Sequence, residues 1–188
     1  MLSELYQRTS RLLFKRRPPS VIRAVRSESL TYLNKAALMD LFDQVRLAEQ
    51  HRRTGILIEA GCALGGSAIV MASAKSRTRP FYVYDVFGMI PPPSENDGED
   101  AHERFRLIET GQSDGIRGNK YYGYEDNLMD RVLDNLRRYR LPAEPHNIHL
   151  IKGLFEDTMT VTEPVAVAHI DGDWYDSVMT CLTGSSRD

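Results

Sequence analysis

Short apolar runs that end in glycine or acidic residues alternate with amphipathic stretches along this chain, a pattern that predicts strands and helices in turn. The first run, Ile56-Leu-Ile, breaks at Glu59 into a glycine-rich turn and then enters an apolar helical stretch from about Ala68 to Lys75. Further strands are read at 81–85, 147–152 and 164–170, so the chain reads as βαβ units of a parallel α/β sheet. The last of these runs is apolar on both faces, as a central parallel strand should be. A helix at 125–139 turns Leu128, Val132, Leu133, Leu136 and Tyr139 inward.

Ahead of the sheet the spacing is helical. Leu2, Leu5, Tyr6, Leu12, Leu13 and Phe14 line a leading helix that Pro18-Pro19 would end, because proline supplies no N–H to a helix interior. Leu30, Leu33, Leu38, Leu41, Phe42 and Val45 recur at helical spacing through Gln50. Residues 1–50 are therefore read as a helical cap, 54–85 as a ligand-binding βαβ unit, 86–124 as a lid-like insertion and 125–182 as the remaining α/β. The insertion holds Pro91-Pro92-Pro93, an acidic run at 94–100 read as a solvated loop, a short helical piece from about Phe105 to Ile108, and then Tyr121, Tyr122 and Tyr124. A connection this long is functional or irregular, and closely spaced tyrosines suit a lid over a pocket.

Composition bounds the partners. The chain has 188 residues, 41% hydrophobic and 27% charged, which is enough for one domain with a sizeable core. A formal net charge of −2 leaves no basic footprint for nucleic acid, and no apolar run is long enough to cross a bilayer, so neither partner is expected. Two cysteines, Cys62 and Cys181, are too few for a disulfide framework or zinc site and point to a reducing, cytoplasmic setting with packed thiols. The triplet Lys15-Arg16-Arg17 is read as a solvated helix end, with an anion site as the alternative, and no signal peptide is read.

Candidate chemistry sits at the ends of the strands. The loop Glu59-x-Gly61-x-x-x-Gly65-Gly66-Ser67 lacks the dinucleotide and P-loop spacings, and an acidic residue opening it would repel a phosphate. A carboxylate there suits a cationic amine, so the two readings are an S-adenosylmethionine loop and a plain structural turn. Gly61 and Gly65 allow a tight turn and close approach to a ligand, and Ser67 is expected to cap the following helix. Asp85, 26 residues after Glu59, could accept ribose hydroxyls or cap a turn. Phe155 could lie against an adenine ring or in the core. The fourth strand ends in Asp171-Gly-Asp173-Trp-Tyr-Asp176, where hard oxygen ligands suit Mg²⁺ and a bound metal would lower the pKa of a substrate hydroxyl. Asp173 is read as the cap of the next helix. His169, two residues from Asp171 and on the same face, is either a group behind the site or a satisfied core histidine.

Four strings in order resemble the macrocin O-methyltransferase family: Glu-Ala-Gly-Cys-Ala-Leu-Gly-Gly-Ser (59–67), Tyr-Asp-Val-Phe-Gly-Met-Ile-Pro (84–91), Lys-Gly-Leu-Phe-Glu-Asp-Thr (152–158) and His-Ile-Asp-Gly-Asp-Trp-Tyr-Asp-Ser (169–177). The resemblance runs from about 54 to 182. It implies a Rossmann-like class I methyltransferase with sheet order 3-2-1-4, dependent on S-adenosylmethionine and Mg²⁺, that methylates a sugar hydroxyl of a natural product or related glycoside. It places Glu59, Ala60 and Asp85 in the cofactor site, Phe155 beside the adenine, and Asp171 as the metal ligand. One departure stands out: the family's metal site is completed by paired aspartates on a fifth strand, and the chain ends in Thr183-Gly-Ser-Ser-Arg-Asp188 without them. The expectation is a single incomplete domain over 1–188, with an exposed edge strand that self-associates and an activity lost by truncation. Two other readings remain: a metal-dependent glycosyltransferase using Asp-Gly-Asp, and a non-catalytic remnant.

Overall fold

The computed structural model describes residues 17–183. The leading helix expected from Leu2 to Phe14, Lys15 and Arg16 of the basic triplet, and the polar tail from Gly184 lie outside that range.

Pro18-Pro19 does not end a helix among the described residues. It precedes one, α1 (Ser20–Ser27), with Pro19 at its N-cap, where a missing N–H costs nothing. The second helix, α2 (Lys35–Gln50), starts where the Asn34 side chain accepts the Ala37 N–H at 3.0 Å. Leu30 and Leu33 therefore lie in the connection before α2 rather than on it. Both helices lay their apolar stripes, Ile22 and Val25 on α1 and Leu38, Leu41 and Val45 on α2, against the core.

Four parallel strands follow: β1 (Ile56–Ala60), β2 (Phe81–Asp85), β3 (Ile148–Lys152) and β4 (Val165–Ile170), in the order β3-β2-β1-β4. This is the expected α/β sheet. Side chains alternate across it with period two. Leu57, Phe81, Val83 and Ile148 face one cluster with α1, α2, α3 (Gly66–Ala74) and α5 (Leu128–Arg138). Ile56, Ile58, Ala60 and Tyr84 face the other, smaller cluster, with Met159 and half-buried Phe155, Ile170 and Cys181. All five residues of β1 are buried, and each fully buried aliphatic side chain contributes about 1.5–3 kcal/mol.

β4 pairs with β1 alone among the described residues and forms the edge of this sheet, as the order 3-2-1-4 implies. Its residues are half-buried or exposed, with Val165 at 42%. The helix after it, α7 (Tyr175–Thr183), buries no residue and leaves Tyr175, Met179 and Leu182 exposed.

Several elements differ from the pattern-based reading at their ends. The acidic run of the insertion is not all loop: Glu99 and Asp100 form the first turn of α4 (Glu99–Glu109), where negative charge is favoured by the helix dipole. α5 is shorter than 125–139. Leu133 is only half-buried, and the buried polar residue on that face is Asn135, whose amide donates to Leu64 O at 3.0 Å. The register pairs Ala60 with Tyr84 and Ile170, and Asp85 with Lys152, so that all four strands end along one edge. A short helix, α6 (Phe155–Thr158), follows β3 there.

Candidate functional site

The loops leaving the four strands enclose a cleft of about 520 Å³, a size typical of small-molecule sites. Gly61 and Ala63 come from the loop after β1, Asp85 and Val86 from the end of β2, and Phe155 from the start of α6. Asp171, Gly172 and Asp173 follow β4, while Tyr32, Ile90, Tyr122 and Trp174 also line the cleft.

The β1 loop is held by its neighbours. Gly61 has φ +85°, and its N–H donates to Tyr84 O at 2.9 Å. A Cβ on Gly61 would stand 2.3 Å from the carbonyl oxygen of Asp171, so glycine is required by the close passage of the β4 end as well as by the turn. Gly65, φ +81°, is the N-cap of α3, and its absent side chain makes room for Val132 of α5. Ser67 is not a cap: it lies inside α3, buried, on the Glu59 side.

Asp85 organises the same loop from β2. Its Oδ2 accepts the Cys62 N–H and its Oδ1 accepts the Phe87 N–H, each at 2.8 Å, with the residue 8% exposed. The turn-capping reading of this aspartate therefore holds, and the side chain also lines the cleft.

Glu59 lies behind the cleft. It shares the sheet face of Leu57, is fully buried, and stands opposite His169 in the β1–β4 register. Its Oε1 is 3.1 Å from His169 Nδ1, and Oε2 has no hydrogen-bond partner of acceptable geometry. Burial pushes the Glu59 carboxyl up, partly offset by His169 and Ser67. Burial acts against charge on His169 as well, but the Glu59 carboxylate outweighs it and holds the imidazole above its ordinary value. Both directions favour retaining a proton within the pair. Ala60, fully buried, also lies off the cleft lining.

The acidic loop after β4 is pinned by the Asp171 N–H donating to Ala60 O at 2.8 Å. The pattern-based reading made Asp173 the cap of α7. Instead the Tyr175 N–H in the first turn donates to Asp97 Oδ1 at 2.8 Å, across 78 positions of sequence. Asp173 lines the cleft, open to solvent yet walled by protein. Desolvation by the surrounding walls, followed by the charges of Asp85 and Asp171, pushes its carboxyl up to about 6, against a lowering by Arg104 of α4. Tyr122 feels the same desolvation and is driven well above the ordinary phenol range. Its ring stands 6.3 Å from Tyr32 and 4.7 Å from Tyr121.

Sequence reasoning missed Tyr32, Asp97 and the cleft position of Asp173. Only Asp97 carries a local signal, the Ser94-x-x-Asp97 spacing, which resembles a capping box. Among the described residues no group of three or more His, Cys, Asp or Glu is arranged to hold a metal, and no helix is long and apolar enough to cross a membrane.

The four-stranded parallel sheet in the order β3-β2-β1-β4 agrees with methyltransferases of known structure. The O-methyltransferase NovP superposes with TM-score 0.66 at 25% identity, over 86% of this chain and 66% of NovP. The chain thus spans just under two thirds of that protein's length. The calicheamicin methyltransferase CalS11 shares the fold, with TM-score 0.54 at 14% identity over 96% of this chain and 71% of its own. No curated protein matches the chain in sequence. The family model of macrocin-O-methyltransferase (TylF) matches residues 25–184, which covers the whole sheet and every wall of the cleft, and the chain belongs to that family.

Proposed function

We propose that the chain is an S-adenosylmethionine-dependent O-methyltransferase acting on a sugar hydroxyl of a natural product or related glycoside. The observation that carries this reading is the cleft at the carboxyl ends of the strands, lined by Asp85, Phe155, Asp171 and Asp173 in a chain that matches the macrocin-O-methyltransferase family.

The residues present fit the cofactor. Each Asp85 oxygen already accepts one backbone N–H and has a second lone pair for a ribose hydroxyl. Phe155 offers an aromatic surface to the adenine, and carboxylates along the cleft favour a cation. In this reading Gly61, Asp85 and Phe155 touch the cofactor. Glu59, Ala60, Gly65 and Ser67, which do not line the cleft, support the loop that does. Mg²⁺ typically takes one or two carboxylates and fills its shell with water. Asp171 meets the lower bound of that range, with water to complete the shell.

When bound, S-adenosylmethionine supplies a sulfonium methyl that passes to the acceptor oxygen, and Mg²⁺ supplies Lewis acidity at the acceptor hydroxyl. Asp173, which lines the cleft, would take the hydroxyl proton on a carboxylate oxygen. Asp171, at the end of β4, would hold the metal. Tyr32, Tyr122 and Trp174 wall the acceptor side and exclude water. The residues of the 86–124 insertion close over this side as a lid. The cytoplasmic setting belongs to the same proposal and rests on the two free thiols.

Release of S-adenosylhomocysteine over a panel of glycosides tests the reading. Asp173→Asn is expected to lower kcat by about 10²–10⁴, the usual worth of a positioned general base, with cofactor affinity little changed. Equal turnover by the variant and the parent would remove Asp173 from the chemistry.

Self-association through the β4 edge is a separate part of the proposal. It rests on unpaired strand groups together with exposed Val165, Tyr175, Met179 and Leu182. Sedimentation velocity is expected to give a dimer or larger species, and a monomer at all concentrations would contradict it.

A further inference from the structure

The start of α7 is joined to the insertion by contacts that no local pattern in the sequence announces. Asp97 is their centre. Its Oδ2 accepts the Ser94 N–H at 2.9 Å and the Ser94 hydroxyl at 3.2 Å, which closes the turn at 94–97. Its Oδ1 is left to accept the Tyr175 N–H at 2.8 Å. Beside it the Asn96 amide donates to both oxygens of Asp176, at 3.0 and 3.1 Å. On the other side the Trp174 indole N–H donates to Pro91 O at 2.7 Å, and its ring meets Phe105 of α4 edge-on at 6.5 Å. Three consecutive residues, Trp174, Tyr175 and Asp176, are thus tied to three points of the insertion, and they follow Asp173 directly in the chain.

α7 also packs against α6, and its Cys181 reaches the smaller core cluster. It buries no residue, and its first-turn carboxylate, Asp176, is engaged by Asn96. The Asp171–Asp173 loop is pinned to the sheet at one end, by the Asp171 N–H on Ala60 O. Its other end is fixed by the insertion.

We propose that Asp97 is a positioning residue: by closing the Ser94 turn and accepting the Tyr175 N–H, it clasps the insertion to α7 and holds Asp173 at the cleft. The functional meaning of that position rests on the reading of the cleft as the methyl-transfer site, but the clasp itself does not. Asp97 acts through Tyr175 and Trp174 and touches no reacting atom.

Trp174 is the only tryptophan in the chain and is 7% exposed, so its emission reports the clasp directly. In the full chain, well below the melting temperature, Asp97→Ala is expected to shift Trp174 emission to the red and raise its quenching by acrylamide. Asp97→Asn keeps an acceptor oxygen for the Tyr175 N–H and is expected to return both signals toward the parent. Asn96→Ala, which leaves the Ser94 turn intact, should give a smaller change in the same direction. Calorimetry with S-adenosylhomocysteine as the probe should show an affinity close to the parent's for Asp97→Ala, as for Asp173→Asn, while turnover falls toward that of Asp173→Asn. Parent-like emission and quenching in both Asp97→Ala and Asn96→Ala would overturn the clasp. If the parent chain itself does not bind the probe, the cofactor reading fails, while the Trp174 signals still decide the clasp.

Discussion

Gly61→Ala is expected to destabilise the fold by roughly 2–5 kcal/mol and to abolish cofactor binding. Two effects add. A left-handed backbone costs a residue with a Cβ about 1–2 kcal/mol, and overpacking of a filled site costs about 1–3 kcal/mol. The new Cβ would meet the Asp171 carbonyl oxygen at 2.3 Å and its carbon at 3.1 Å, which are backbone atoms and cannot rotate away. Nor can the strands part easily, because the Gly61 N–H is bonded to Tyr84 O and the Asp171 N–H to Ala60 O. Gly65→Ala is the control. Its Cβ meets the end of a side chain, Val132 Cγ1 at 2.9 Å, so its loss should be smaller than that of Gly61→Ala. Urea denaturation of the two variants measures the difference, and a Gly61→Ala chain as stable as the parent would contradict the close passage of β4.

Asp85→Ala has the second large effect, on both stability and binding. It removes the acceptor of two backbone N–H groups, those of Cys62 and Phe87, at a site 8% exposed. Leaving a buried donor unpaired costs about 1–3 kcal/mol, so two such groups put the loss at roughly 2–6 kcal/mol. Asp85→Asn retains one acceptor oxygen and should fall between the parent and the alanine variant. Stability measured by urea melts and affinity measured by calorimetry should fall together, because one carboxylate both holds the β1 loop and lines the cleft. A loss of affinity with unchanged stability would make Asp85 a ligand contact only.

The strands were legible because each is a short apolar run closed by a glycine or an acid, and the loop glycines because their spacing suits a turn. The order β3-β2-β1-β4 came from the family resemblance and not from periodicity. Glu59 was read toward the ligand, yet strand alternation puts it on the face of Leu57, and the pairing with His169 follows from a β1–β4 register that no local pattern encodes. Asp173 was misjudged for a related reason. A capping residue usually lies beside the helix that it caps, whereas α7 takes its acceptor from Asp97, brought across by an insertion folded over the sheet edge. Ser67 was assigned to a helix start that lies at Gly65 and Gly66, because Gly65 can adopt the left-handed conformation that begins α3 earlier. Long-range contacts, not element types, are what the linear pattern left out.

Calorimetric titration of the chain with S-adenosylmethionine tests the proposed cofactor site most directly. Binding at one site per chain is expected, lost in Asp85→Ala and retained in Asp173→Asn. No binding by the parent chain, or saturation by a nucleotide sugar with Mn²⁺ in its place, would contradict the assignment of the cleft.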